Sequence, residues 1–274
     1  MPLTFTVEMI AEVGLALLPD LVVRQVKNVQ LMRWLAFEKG DPGAIELTAR
    51  RLEPDEQDER NGETRVLVQI RQLGTEMKPE PKRPVAAVGT VVLGKSRLEP
   101  DCEYAPLDLP GCKPCDVPLE VMYNNLFHGE LFTAVDSLDV IAEDGIEGTI
   151  HSLPRKGVFR SNDDPMFIGD PVLLDVAMHP PVAWHLEEID QEGRILLPFE
   201  LERLDFFGRR PPPNHPMKSQ TQIVETTPRH FAHLTEVFDG VTGKIWARIY
   251  KVKLWRFYFP FRDVNFHGPK DVYY

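Results

Sequence analysis

Asp175 and His179 stand four positions apart inside an apolar stretch, residues 169–179. In a helix, side chains at this spacing share one face, so the imidazole can touch the carboxyl. Burial of that face raises the pKa of a carboxyl by desolvation, and a carboxyl that keeps its proton near neutral pH can act as a general acid. The structural alternative is an acid that favours the helix dipole and a histidine that ends the helix before Pro180.

Further motifs occur in a fixed order along the chain. Residues 126–132 match Phe-His-Gly-Pro-x-Phe, with Glu130 in place of the proline, and residues 173–179 match Leu-Leu-Asp-x-x-x-His. Residues 2–12, Arg33-Trp34-Leu35 and residues 196–204 supply the other matches. This ordered set resembles the dehydratase domains of polyketide and polyunsaturated fatty acid synthases, in which the last position of the Leu-Leu-Asp motif is Gln or His.

The resemblance implies an α+β double hot dog, with two antiparallel sheets each wrapped around a long helix. Residues 1–96 would form the first unit, residues 97–118 a proline-rich linker, and residues 119–274 the second unit. The sequence pattern agrees with this plan, because apolar residues at a spacing of four predict a helix over residues 4–18. A second helix is predicted over residues 171–179, and Pro180 and Pro181 should break it before a restart at residues 182–186.

Runs rich in β-branched residues, bounded by glycine and proline, predict the strands. A charged hairpin tip is predicted at residues 53–63. The predicted strands cover residues 21–26, 29–37, 45–51, 65–72, 85–93, 134–141, 145–153, 195–207, 217–226, 231–238 and 243–257.

The function implied by the resemblance is removal of water from a β-hydroxyacyl thioester held on the phosphopantetheine of an acyl carrier protein. Asp175 would protonate the departing hydroxide, and His179 would orient the carboxyl. The remaining residues expected at the substrate pocket are Tyr123, His128, Gly129, Phe132 and Pro198. No metal and no cofactor other than the carrier's phosphopantetheine is expected.

One catalytic group of the family is missing from residues 1–274. Its base is a histidine in His-x-x-x-Gly-x-x-x-x-Pro, and the closing proline aligns with Pro2, so the histidine would precede Met1. A truncated start explains this better than loss of the base, because the first helix would otherwise lack its preceding strand. The given residues alone are expected to dehydrate poorly unless His128 substitutes, although His128 could equally pack or cap a turn.

Two other function classes remain open at this point. A non-catalytic acyl-binding or scaffold module of a synthase would explain the missing base. Another hot-dog enzyme, such as a thioesterase or an isomerase, would use Asp175 as a base. The apolar surroundings of Asp175 disfavour that third class, because they favour the protonated carboxyl.

The amino-acid composition limits the classes of partner expected for this protein. A net charge of −11 over 274 residues argues against a nucleic-acid partner. The absence of a long apolar run or signal sequence predicts a cytoplasmic protein that does not enter a membrane. The expected partners are an acyl carrier protein, other synthase domains and, as a homodimer, a second copy of the chain. The basic residues in residues 244–270 could face an acidic carrier protein or form a solvated strand face.

The three cysteines are confined to the predicted linker. Cys112 and Cys115 have zinc-knuckle spacing, but a second closely spaced pair is absent from the sequence. We therefore interpret them, together with Cys102, as incidental thiols.

Overall fold

The computed structural model describes residues 1–33, 35, 44–74, 82–126, 128–159, 162–189 and 194–258. Trp34 and Phe127 of the motifs above lie outside the described residues, as does the basic segment beyond residue 258. The strands are β1 (Val22–Leu31), β2 (Ala44–Arg51), β3 (Thr64–Gly74), β4 (Val85–Gly94), β5 (Lys113–Pro114), β6 (Val135–Ala142), β7 (Gly145–His151), β8 (Arg194–Phe206), β9 (Pro216–Thr226), β10 (His230–Asp239) and β11 (Ile245–Tyr258).

All of these strands belong to one antiparallel sheet in the order β2-β3-β4-β1-β8-β11-β10-β9-β7-β6-β5. The helices are α1 (Leu3–Ala16), α2 (Glu56–Asn61), α3 (Leu119–Asn124), α4 (Pro171–Val176) and α5 (Pro180–Ile189), with a short 3₁₀ helix at Glu130–Phe132. No helix in the described part of the chain has both the length and the apolar character needed to span a membrane. The α+β hot-dog class predicted from sequence is confirmed.

Helix α1 fills the concave side of one half of the sheet. Val7, Ile10 and Ala11 are buried on its inner face, and the helix packs against β1, β3 and β4. Gly14 permits close approach, since a Cβ atom there would lie 2.6 Å from a side-chain carbon of Val91. The helix predicted over residues 4–18 is therefore present, with ends shifted by one or two residues.

The helix predicted over residues 171–179 is shorter than expected, and another helix follows it. Helix α4 ends at Val176, and α5 begins at Pro180, where a missing backbone N–H is tolerated in a first turn. The break predicted at Pro180 is confirmed, whereas a single long helix over residues 171–179 is wrong. Between the helices, the amides of Met178 and His179 donate to the carbonyls three residues back, which continues the turn past Asp175.

The two predicted sheets are joined into one. Strand β1 pairs with β8, with Val26 opposite Leu204 and Val29 opposite Leu201. This pairing satisfies the backbone groups of two strands that would otherwise be edges, and it makes the expectation of two separate sheets wrong. The division of the chain into two units at residues 97–118 stays a prediction. Buried residues before and after that segment belong to one hydrophobic core.

Three local predictions also change. Residues 21–26 and 29–37 were predicted as two strands, but β1 is one strand with a bulge at Asn28, whose φ is 54°. The predicted hairpin tip contains α2 instead, which is capped by reciprocal hydrogen bonds between Asp55 and Asp58. The predicted linker includes β5, and its three cysteines are free thiols.

Candidate active site

The N-terminus of α4 is held by its own N-cap residue and by a residue that is distant in the sequence. Asp170 takes a left-handed conformation with φ 56°, and its side chain accepts a hydrogen bond from the Leu173 amide at 3.1 Å. Arg210 lies 3.2 Å from the same carboxyl. The capped N-terminus and Pro171 in the first turn fix where α4 begins. This start places Asp175 on the second turn of the helix.

Asp175 meets three polar side chains in the interior. Its Oδ2 lies 2.9 Å from Nε2 of His128 and 3.4 Å from Nε2 of His179. Its Oδ1 accepts a hydrogen bond from the Thr4 hydroxyl at 3.2 Å. The contact between Asp175 and His179, predicted from their spacing, is confirmed, and His128 makes the shorter approach.

The charge state of Asp175 depends on its two histidine neighbours. Burial alone raises the pKa of its carboxyl, but the charge and hydrogen bond of His128, followed by those of His179, more than offset burial. The net pKa lies below the ordinary value of an aspartic acid. The sequence predicted a rise in this pKa unless a protonated His179 lowered it. The lowering prevails, and its largest source is His128, 47 positions away in the sequence.

The site opens onto a largely apolar cavity, as predicted. His128, Asp175 and His179 form its polar side, and Pro198 of β8 lies on its wall. The other lining residues come from all parts of the chain and are Met1, Pro2, Leu3, Leu31, Leu126, Met178, Val182, Leu196, Val252 and Leu254.

Three residues predicted at the pocket support it from behind. The Tyr123 hydroxyl accepts a hydrogen bond from the Val135 amide at 2.8 Å, and its ring meets His179 edge to face. Phe132 is buried with its ring 5.2 Å from that of His128. The Gly129 carbonyl accepts the Phe132 amide and so closes the 3₁₀ turn. These three residues position the two histidines rather than lining the cavity.

Two residues that support the site around Asp175 were not identified from the sequence. Thr4 is 171 positions from Asp175, and no local pattern marks it. Glu8, one turn further along α1, accepts hydrogen bonds from the Ile168 amide and, at 3.0 Å, from the Gly169 amide. Because residues 168 and 169 lead directly into the N-cap of α4, Glu8 ties the first helix to the helix that carries Asp175.

Glu8 should make stability depend on pH. Burial raises its pKa to about 7, although the two amide hydrogen bonds oppose the rise. A raised folded-state pKa means that stability is present below the ordinary value of 4.5 and is lost as the pH rises through about 7. Over that window, the wild type should lose roughly 3 kcal/mol more unfolding free energy than Glu8→Gln. Urea unfolding of both proteins across this pH range tests it, and parallel pH profiles would contradict it.

The basic residues of β11 are largely engaged within the chain. Arg248 pairs with Asp101 and Glu236, while Lys253 lies 2.8 Å from Glu200. The described part of the basic stretch is thus a strand face neutralised by neighbouring acids, which disfavours its use as a carrier-protein surface.

One group of side chains has the spacing of a metal site. Among the described residues, only His128, Asp175 and His179 bring histidine, cysteine or acidic ligand atoms together in this way, within 4.8 Å of one another. The sequence-based expectation of no metal considered Cys112 and Cys115, with His128 not far beyond them, and did not include Asp175 or His179.

Comparison with known proteins gives a consistent family. The model of the polyketide synthase dehydratase N-terminal domain matches residues 121–257, half of the chain, and includes His128, Asp175 and His179. No curated protein sequence matches.

Solved structures share the fold at low sequence identity. The dehydratase domain of the CurK module of curacin polyketide synthase is 19% identical, with a TM-score of 0.67 over 96% of this chain and 85% of that one. The dehydratase domain of RzxB from Pseudomonas fluorescens is 16% identical, with a TM-score of 0.65 over 92% and 84%. A trans-acyltransferase polyketide synthase enoyl-isomerase is 18% identical, with a TM-score of 0.60 over 93% and 89%.

The structural matches establish the hot-dog fold, and that fold occurs with more than one named activity. The family model provides the narrower assignment, since it matches the half of the chain that holds the aspartate and both histidines. This chain belongs to the polyketide synthase dehydratase family.

Proposed function

We propose that this chain removes water from a β-hydroxyacyl thioester and that His128 and Asp175 transfer the protons. The observation that supports this most strongly is the 2.9 Å approach of His128 Nε2 to Asp175 Oδ2 at the polar side of an apolar cavity. In this proposal His128 serves as the base.

Elimination of water needs a base and an acid. Neutral His128 accepts the proton from the carbon next to the thioester carbonyl, and those C–H electrons form the new double bond. The bond from the β-carbon to oxygen breaks at the same time. The Asp175 carboxyl gives its proton to the departing hydroxide, which leaves as water.

The pair then returns to its starting state internally. After elimination the proton is on His128 and Asp175 is ionised, and one transfer across 2.9 Å restores neutral histidine and protonated aspartic acid. The lowered pKa of Asp175 means that its carboxyl is ionised in the resting site. Part of the catalytic barrier is therefore the return of the proton to Asp175.

We also propose how the thioester is delivered to the site. A narrow apolar cavity suits an acyl chain delivered on a flexible arm, such as the phosphopantetheine of an acyl carrier protein. We place this activity in the cytoplasm beside other synthase domains, with self-association as a homodimer left to measurement of the native mass.

A second candidate is isomerisation of an enoyl thioester, which moves a double bond without loss of water. It needs one group that removes a proton from one carbon and returns a proton to another. The His128–Asp175 pair, whose facing atoms lie 2.9 Å apart, meets that requirement too. Dehydration is favoured because the family model that matches the segment with all three site residues is that of polyketide synthase dehydratases.

Products separate these functions. The purified protein is incubated with a 3-hydroxyacyl thioester of coenzyme A or N-acetylcysteamine, and separately with the matching 3-enoyl thioester. Dehydration predicts a 2-enoyl product from the first substrate, while isomerisation predicts conversion of the second alone. Binding without either product would support the scaffold alternative and contradict the proposal.

A further inference from the structure

We propose that His128, Asp175 and His179 also form a binding site for a divalent transition-metal cation, of which Zn²⁺ fits best. The three side chains come from two separate segments, and the structure describes their ligand atoms within 4.8 Å of one another. Two imidazoles and one carboxylate form a common ligand set for such cations.

The distances suit a small cation. A tetrahedral zinc ion with bonds of about 2.0–2.2 Å keeps its ligand atoms roughly 3.3–3.6 Å apart. Oδ2 of Asp175 lies 3.4 Å from Nε2 of His179 and 2.9 Å from Nε2 of His128. The ligand atoms of the three residues lie within 4.8 Å of one another, so side-chain rotations that move their tips by about 1 Å would bring all three donors to bonding distance.

The carboxylate is held in a suitable orientation. Thr4 donates to Oδ1 of Asp175, so Oδ2 is the oxygen that faces both histidines. Partners of this kind, which bind a ligand's other atom, orient metal ligands in known sites. His179 is placed by the helical spacing from Asp175, and its ring is packed edge to face against Tyr123.

Burial and composition define the cation class. The exposed fractions of His128, Asp175 and His179 are 9%, 5% and 2%. Mg²⁺ and Ca²⁺ prefer several oxygen ligands, whereas imidazole favours Zn²⁺, Co²⁺ and Ni²⁺. Three protein ligands leave one position of a tetrahedral ion for water, on the side of the apolar cavity.

Cation binding would inhibit the reaction described above, and this consequence rests on the proposed function. The cation takes the lone pairs of His128 and Asp175 through which protons would move.

Calorimetric titration of the metal-free protein with ZnCl₂ tests the site without any assay of turnover. We expect one Zn²⁺ per chain and negligible heat with MgCl₂. Co²⁺ should give the visible absorption bands of a tetrahedral ion. His179→Gln removes an imidazole but keeps a residue found in the family motif, and it should weaken Zn²⁺ binding at least about tenfold.

Three further variants locate the cation. His128→Ala and Asp175→Asn should weaken binding at least as much, with folding checked by circular dichroism. His151→Ala is the matched control, since His151 pairs with Asp136 at 2.9 Å near the surface. Cys112→Ser tests the other candidate ligands and should leave Zn²⁺ affinity unchanged.

Two outcomes would overturn the proposal. One is the absence of Zn²⁺ binding by a folded wild-type protein. The other is binding that survives His179→Gln and His128→Ala, or that Cys112→Ser abolishes. A catalytically inert protein that binds Zn²⁺ through the three residues would contradict the dehydratase mechanism and leave the metal site intact.

Discussion

Replacing Asp175 with asparagine should lower kcat for dehydration by about 10²–10⁴-fold, the contribution of a general acid. Asparagine preserves the shape of the side chain and can still accept the Thr4 hydrogen bond, but it has no proton acidic enough to give to hydroxide. Because the substrate-binding walls are otherwise apolar, KM should change much less than kcat. Formation of the 2-enoyl thioester under saturating substrate measures the effect.

Asp136→Asn supplies the matched control. Asp136 lies 2.9 Å from His151, the same separation as in the buried pair, but its side chain is half exposed. The control should keep wild-type kcat. Equal activity of Asp175→Asn and the wild type would remove Asp175 from the mechanism.

His128→Ala should lower kcat by a comparable factor, about 10²–10⁴-fold, because it removes the proposed base and the partner that sets the charge of Asp175. The kcat of the double variant His128→Ala with Asp175→Asn should be little lower than that of either single variant. When two residues act together, removing either one already removes their shared contribution.

A different result would relocate the base. If His128→Ala retains activity while Asp175→Asn loses it, the acid is confirmed and the base is another group. A protein that carries a His-x-x-x-Gly segment before Pro2 would then test whether that histidine is the base. His151→Ala controls for general effects of removing a histidine.

Local spacing predicted the part of the site that lies within one turn of the chain. Asp175 and His179 meet because four positions make one turn, and that geometry needs no knowledge of the fold. Likewise, Pro180 marked the helix break because its ring and missing N–H constrain the backbone wherever it occurs.

Contacts between distant segments were beyond such reasoning. His128 reaches Asp175 from a loop, and Thr4 reaches it from α1, and the pairing depends on how the sheet curves around both helices. The sign of the net pKa shift at Asp175 was left open by the sequence for the same reason. Burial was visible in the apolar sequence around it, whereas the neighbouring charge that outweighs burial was not.

The pairing of β1 with β8 has a consequence for how such a domain can be recombined. The segment matched by the family model holds His128, Asp175 and His179, but Thr4, Leu3 and Leu31 come from before it. A graft that moved residues 119–274 into another synthase would carry His128, Asp175 and His179 and leave behind one wall of the cavity. It would also expose the edge of β8 as a strand ready to pair with other chains. Module boundaries for exchange therefore belong outside both halves, even though these three residues are confined to one.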